Sequence, residues 1–189
     1  MTTVPDLPNT EASPRVAQIL RIIAADIKIS HTVFAMPFAL LGAALALSQQ
    51  AEPLSAPKIT GQILLIVGCM VTARTWAMLV NRIADRKIDA ANPRTAGRAI
   101  PSGALPTSTA LLGAVLFAIC FTGLCALFWL FFHNPWPVVL ALPTLAWIAG
   151  YTFTKRLTAL CHVFLGGALA ASPLAAAIAI DPTELAAPA

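Results

Sequence analysis

Residues 109–132 read TALLGAVLFAICFTGLCALFWLFF, 24 residues without a single charge. A stretch that apolar and that long matches the roughly 17–25 residues a helix needs to cross a bilayer. In hydrocarbon every backbone N–H and C=O must find a partner inside its own segment, so such a run is predicted to be helical. Four further segments have the same character: residues 29–48, 60–80, 137–153 and 157–180, of which 137–153 is the shortest. Only 11% of the 189 residues are charged and 58% are hydrophobic. A soluble domain carries about 25% charge, and a soluble core of this size could not hide so much apolar surface. The predicted fold class is therefore all-α, a multi-pass transmembrane helical bundle with five spans in this chain.

Residues 1–14 are polar and proline-containing, without the apolar stretch behind a basic start that marks a signal peptide, and are expected to form a tail. Ser13-Pro14 reads as a helix start. Beyond it Val16, Ile19, Ile23 and Ile27 fall on one side of a helix and Arg15, Gln18, Arg21 and Lys28 on another. That pattern predicts an interfacial amphipathic helix leading into the first span. Residues 15–180 are expected to form one domain and 181–189 a second tail. Cys69, Cys120, Cys125 and Cys161 all lie within apolar spans with no CxxC spacing, so buried inert thiols are expected rather than a metal or disulfide framework.

The positive charge has an orientation to explain it. If residues 1–28 face the cytoplasm, the loops alternate sides, and ten of the twelve Lys and Arg fall inside, with Lys58 outside and Arg74 within a span. This distribution follows the positive-inside rule, and it places the N-terminus and the 81–108 loop in the cytoplasm. With that explanation the net charge of +4 is no sign of nucleic-acid binding.

Orientation requires no aspartates, yet the loop NRIADRKIDAANPRTAGRAIPSG, residues 81–103, carries two of the chain's eight acids among five of its basic residues. Asn81, Asp85 and Asp89 stand at i, i+4 and i+8, which brings them close to one helix face if the second span continues past the membrane edge. Two carboxylates one turn apart repel each other unless a positive charge lies between them. Mg²⁺ suits that place, because it takes hard oxygen ligands, keeps waters and is held by one or two carboxylates plus phosphate oxygens. Nearby arginines suit the phosphate. The spacing equally fits a charge-balanced loop in which Asp85 and Asp89 pair with Arg82 or Arg86.

Arg74 lies within the second span, seven residues and about two turns before Asn81, and so projects to nearly the same face. An arginine at that depth is costly and points to a cavity or partner, or else snorkels to the helix end. A second constellation, YTFTKR, sets Tyr151 four residues before Lys155, with Arg156 next, at the cytoplasmic end of the fourth span. These residues can anchor the helix at the interface, or supply positive charge to the phosphate that the aspartates' metal would hold. Pro37, Pro143 and Pro173 inside the spans, and Gly166-Gly167 in the last, predict interrupted helices around a protein-lined cavity.

NRIADRKIDAANPRTAGRAIPSG resembles the first aspartate motif, N-x-x-x-D-x-x-x-D, of the UbiA superfamily of intramembrane aromatic prenyltransferases. YTFTKRLTALCHVFLGGALAASPLAAAIA resembles that family's fourth-to-fifth helix region with its Y-x-x-x-K-R, and IKISHTVFAMPFALLGA its first helix. The resemblance runs in order from about Arg15 to Ile180, and within the family it points to the 4-hydroxybenzoate polyprenyltransferase-like branch. It implies nine transmembrane helices around a lipid-accessible cavity. It also implies Mg²⁺-dependent transfer of a polyprenyl group from its diphosphate to a small aromatic acceptor in quinone biosynthesis, at the bacterial inner membrane. By the same resemblance Asp85 and Asp89 hold Mg²⁺ with Asn81 beside them, Lys155 binds the diphosphate and helps it leave, and Tyr151 and Arg156 flank it. Arg74 joins the substrate-binding set on the physical argument alone.

The sequence departs from the pattern in two ways. Position 82 is Arg where many members have Asp, and no second D-x-x-x-D occurs anywhere in the chain. The second departure leads to the expectation of an N-terminal portion of a longer protein, without transfer activity of its own. Two other readings compete with a prenyltransferase. A non-catalytic multi-pass protein, such as half of a transporter or an assembly subunit, would use the charges for orientation and ion pairing. A CDP-alcohol phosphatidyltransferase would need a D-G-x-x-A-R run, which is missing.

Overall fold

The computed structural model describes residues 16–27, 30–50, 54–155 and 161–185. Six α-helices follow in order: α1 Val16–Ile27, α2 Ser30–Ser48, α3 Ala56–Ala91, α4 Thr107–Phe132, α5 Trp136–Thr154 and α6 Cys161–Ile180, with a 3-10 turn at Pro182–Leu185. Among the described residues there is no strand. The spans α3, α4, α5 and His162–Ile180 are long and apolar enough to cross a membrane, and the described apolar part of α2 is the shorter run Met36–Ser48.

Proline and backbone chemistry set the helix boundaries. Pro57 lies in the first turn of α3 and Pro137 in that of α5, where a missing N–H costs nothing. Helix α3 stops at Ala91 because Asn92 precedes Pro93, and the residue before a proline is pushed out of the helical region. Helix α4 ends on His133, whose φ of 56° is a left-handed cap that returns its N–H to the Trp129 carbonyl at 3.1 Å. The prolines inside the spans, Pro37, Pro143 and Pro173, correct the expectation of broken helices: α2, α5 and α6 each run through theirs. A transmembrane helix tolerates the lost hydrogen bond where neighbouring helices, side chains or local adjustments of the turn satisfy the freed backbone group.

Helix α3 is the axis of the molecule, packing against α1, α2, α4, α5 and α6. At 36 residues it is about 54 Å long, well beyond a hydrocarbon layer of about 30 Å. Large apolar side chains such as Leu64, Ile119, Leu130, Leu142 and Val163 face outward, as suits lipid contact. Packing rather than the hydrophobic effect must therefore hold the helices together. Along α2, Ala39, Ala43 and Ala46 form a flat strip against Ala176, Ala179 and Ile180 of α6, with Ile66 and Phe128 closing the cluster. Gly42 lies within that strip. A Cβ there would stand 2.2 Å from the Pro173 carbonyl oxygen, so the α2–α6 crossing is possible only with glycine.

The bundle has two distinguishable ends. At one, Ile23 of α1 inserts among Leu79, Ile100, Leu105, Ala110 and Ala114, while Gln18 and Arg21 stay exposed. The amphipathic helix predicted for residues 15–28 is therefore present as α1, docked on the bundle by its apolar side; Arg15 and Lys28 lie outside the described residues. At the other end Asn134 donates to the carbonyls of Ile178 (2.8 Å) and Ala179 (3.1 Å), and Gln62 donates to that of Ile180 (3.4 Å). Not all the cysteines are buried: Cys120 is exposed, while Cys69 and Cys125 stand 3.8 Å apart between α3 and α4.

Candidate functional site

Helix α3 continues more than two turns beyond the predicted end of its span, which carries Asn81, Asp85 and Asp89 on successive turns of one helix. Both carboxylates are buried. Lys155, at the end of α5, donates from Nζ to Asn81 Oδ1 at 3.0 Å and forms a salt bridge with Asp85 Oδ2. Two residues selected from separate motifs, 74 positions apart, are thus joined in space.

Asp89 is held differently. Arg98 donates from Nη1 to both of its carboxylate oxygens, at 2.7 and 2.8 Å. The loop that brings Arg98 back is ordered by its own hydrogen bonds. Thr95 Oγ1 donates to the Asp89 carbonyl at 3.0 Å, and the Leu105 N–H donates to the Ala99 carbonyl at 2.8 Å. Ile100 and Leu105 plug the loop into the bundle, and Gly103 takes the turn at φ 78°. The paired-loop alternative named Arg82 or Arg86 as partner of the aspartates; for Asp89 the partner is Arg98. Arg86 donates instead to the Ile83 carbonyl at 2.8 Å.

The remaining candidates divide. Arg74 is half-buried on α3, and its Nε is enclosed with no hydrogen-bond partner among the described residues. Tyr151 is half-buried one turn before Lys155, and its carbonyl accepts from the Lys155 N–H at 3.2 Å. Arg156 lies outside the described residues. The sequence reading missed Arg98 and Thr95, because nothing in the spacing separates Arg98 from the other four basic residues of the loop.

The donor set can be tested against a divalent cation. Among the described residues no group of three or more His, Cys, Asp and Glu comes together, so these residues offer no closed cage. They offer two carboxylates and an amide oxygen along one helix, with side-chain cations beside them. That set fits Mg²⁺ shared with phosphate oxygens and waters, and does not fit a metal held by protein alone. Asp85, Asp89 and Asn81 are the residues that would hold it.

Residues 35–188 match the UbiA prenyltransferase family. The 4-hydroxybenzoate octaprenyltransferase of Shewanella pealeana is 34% identical over 110 residues, covering 58% of this chain and 36% of that protein. The Shewanella oneidensis protein of the same name is 33% identical over 110 residues, with the same coverage. The match thus spans about a third of the length of these curated relatives. Among solved structures, the apo structure of a UbiA homolog from Aeropyrum pernix K1 superposes with a TM-score of 0.69 at 30% identity, covering 83% of this chain and 52% of that one. With an all-helical membrane bundle, paired aspartates on its longest helix and a family match over most of its length, the chain belongs to the UbiA prenyltransferase family.

Proposed function

We propose that this chain supplies the diphosphate-binding end of a Mg²⁺-dependent prenyltransferase, which moves a polyprenyl group from its diphosphate to a small aromatic acceptor of the 4-hydroxybenzoate type in quinone biosynthesis. The observation that carries this reading is Lys155 bridging Asn81 and Asp85. It joins a metal-type oxygen pair to a phosphate-type cation at the edge of an apolar bundle. Asp85 and Asp89, with Asn81 beside them, bind the metal, and Lys155 turns toward the phosphate oxygens. Bound Mg²⁺ would neutralise charge on the diphosphate as it leaves. The apolar helices keep water from the allylic cation that departure generates. Tyr151 borders the diphosphate, the family resemblance adds Arg156 to the same substrate-binding set, and the Arg74 Nε, without a partner among the described residues, offers a donor to a polar group of the substrate deeper in the membrane.

Arg21, Arg82, Arg86, Lys87, Arg94, Arg98 and Lys155 lie at or near the site end, whereas Lys58 lies at the start of α3, so the site faces the cytoplasm and the isoprenoid tail stays in the inner membrane. The test is Mg²⁺-dependent binding of geranyl diphosphate to the purified chain in detergent, compared with Asp85→Asn and Lys155→Met. Saturable binding that requires Mg²⁺ and is weakened in both variants supports the proposal. Absence of Mg²⁺-dependent binding favours the competing reading, a non-catalytic membrane protein whose aspartates serve only as structural ion pairs.

A further inference from the structure

Each buried aspartate of α3 already has a cation, and each cation comes from a different element: Lys155 from the end of α5 and Arg98 from the loop after α3. The two pairs are not equivalent. Lys155 divides its ammonium between Asp85 and the neutral Asn81, whereas Arg98 is given wholly to Asp89. Arg98 uses one nitrogen for both bonds, and the other two nitrogens of its fork make no hydrogen bond among the described residues. Its side chain keeps 32% of its surface exposed, against 7% for Asp89. Its backbone is fixed, since Ile100 and Leu105 are buried on one side and Thr95 is bonded to the Asp89 carbonyl on the other. The guanidinium is therefore the movable part of a rigid loop.

This arrangement sets two ligands against one resident charge. A divalent cation arriving alone must displace Arg98 from a carboxylate that has almost no water to replace it. A diphosphate arriving alone meets an arginine already engaged, beside a negative carboxylate. When both arrive, the metal takes Asp89 and Arg98 is released to the phosphate oxygens, for which its planar fork is better shaped than an ammonium. Resting on the diphosphate reading of the site, we infer that Arg98 is an exchangeable counter-ion: it holds Asp89 while the site is empty and passes to the diphosphate when metal binds, so that metal and diphosphate bind cooperatively through this one side chain.

Arg98→Gln then has effects of opposite sign on two affinities, which a merely structural residue would not. The full chain in detergent is titrated with Mn²⁺ alone, following the electron paramagnetic resonance of the free ion, and separately with the preformed Mg²⁺–pyrophosphate complex by calorimetry. Removing the resident cation tightens Mn²⁺ binding about tenfold and weakens pyrophosphate binding about tenfold, the scale of one charge-assisted hydrogen bond. Arg98→Lys keeps the charge without the fork. It therefore leaves Mn²⁺ binding near the parent value while weakening pyrophosphate binding about threefold relative to the parent, and that split serves as the readout should the glutamine variant fail to fold. Equal weakening of both ligands, or no change in either, overturns the counter-ion role while leaving the site intact. If the parent chain binds no Mg²⁺–pyrophosphate at all, the diphosphate reading itself falls, and this inference with it.

Discussion

Both ends of the bundle bury polar side chains, and they do so by opposite means. At the end where α6 finishes, the buried groups are the neutral amides of Gln62 and Asn134, and their acceptors are backbone carbonyls that the helix leaves unpaired. At the other end the buried groups are the carboxylates Asp85 and Asp89, and their partners are cationic side chains borne on separate elements. An amide bonded to the carbonyls of a helix terminus has nothing to exchange with; it staples the helix in place. A carboxylate held by an ammonium or guanidinium can trade that partner for a metal and send it to an anion. The close α2–α6 packing lies toward the stapled end, so rigidity and exchangeable charge are segregated along α3.

The sharpest way to break this division is to attack the rigid half. Gly42→Leu places side-chain atoms where the Pro173 backbone stands, and α2 must leave α6. A loss of about 3 kcal/mol is expected, read from thermal or denaturant unfolding in detergent. At the charged end Asp85→Asn should show the reverse profile. Mg²⁺–pyrophosphate affinity falls about 10- to 100-fold, whereas unfolding shifts by less than about 1 kcal/mol, because the partly exposed Lys155 can rehydrate. Asn134→Ala removes the donor to two α6 carbonyls and should cost about 1 kcal/mol without altering pyrophosphate binding. Were that variant to weaken binding as strongly as Asp85→Asn, the two ends would not be independent.

The smallest effect concerns Asp181, just beyond α6. Its carboxyl is held below the usual carboxylate range, first by the Thr183 hydroxyl, then by the Thr183 N–H, with Gln50 and Lys58 adding to the effect. A carboxyl lowered on folding contributes stability that is fully present above its unfolded value of roughly 4 and disappears as pH falls through the lower folded value. The parent should therefore lose slightly more stability than Asp181→Asn on acidification below about pH 4. Parallel pH curves for the two would show that the group is not linked to folding.

How far the sequence reached depends on the range of the interaction. Helices were legible because apolar runs and proline positions act locally. The predicted spans 109–132 and 137–153 lie within one or two residues of α4 and α5. The i, i+4, i+8 spacing put Asn81, Asp85 and Asp89 near one face on the condition that the helix continues, which α3 meets, and the Tyr151–Lys155 motif gave the second half of the Lys155–Asp85 bridge. What stayed hidden was set by close packing and loop closure. Gly166-Gly167 looked like the telling glycines, but a Cβ at Gly166 meets nothing and one at Gly167 meets only the Trp147 ring, whereas the critical approach is at Gly42. Arg98 finds Asp89 because Thr95 ties the intervening loop to the Asp89 carbonyl and Ile100 and Leu105 anchor the chain just beyond it, packing that no spacing records.

Because α3 is one uninterrupted helix, Arg74, Asn81, Asp85 and Asp89 are phased to each other like teeth on a single shaft. Inserting one residue between Arg74 and Asn81 would turn the aspartates about 100° away from Lys155 while advancing them only about 1.5 Å. Inserting four would bring them back to within about 40° of their present direction, but about 6 Å farther along the axis. The span and the site thus share one register, and a change of length in the first is read as a rotation of the second.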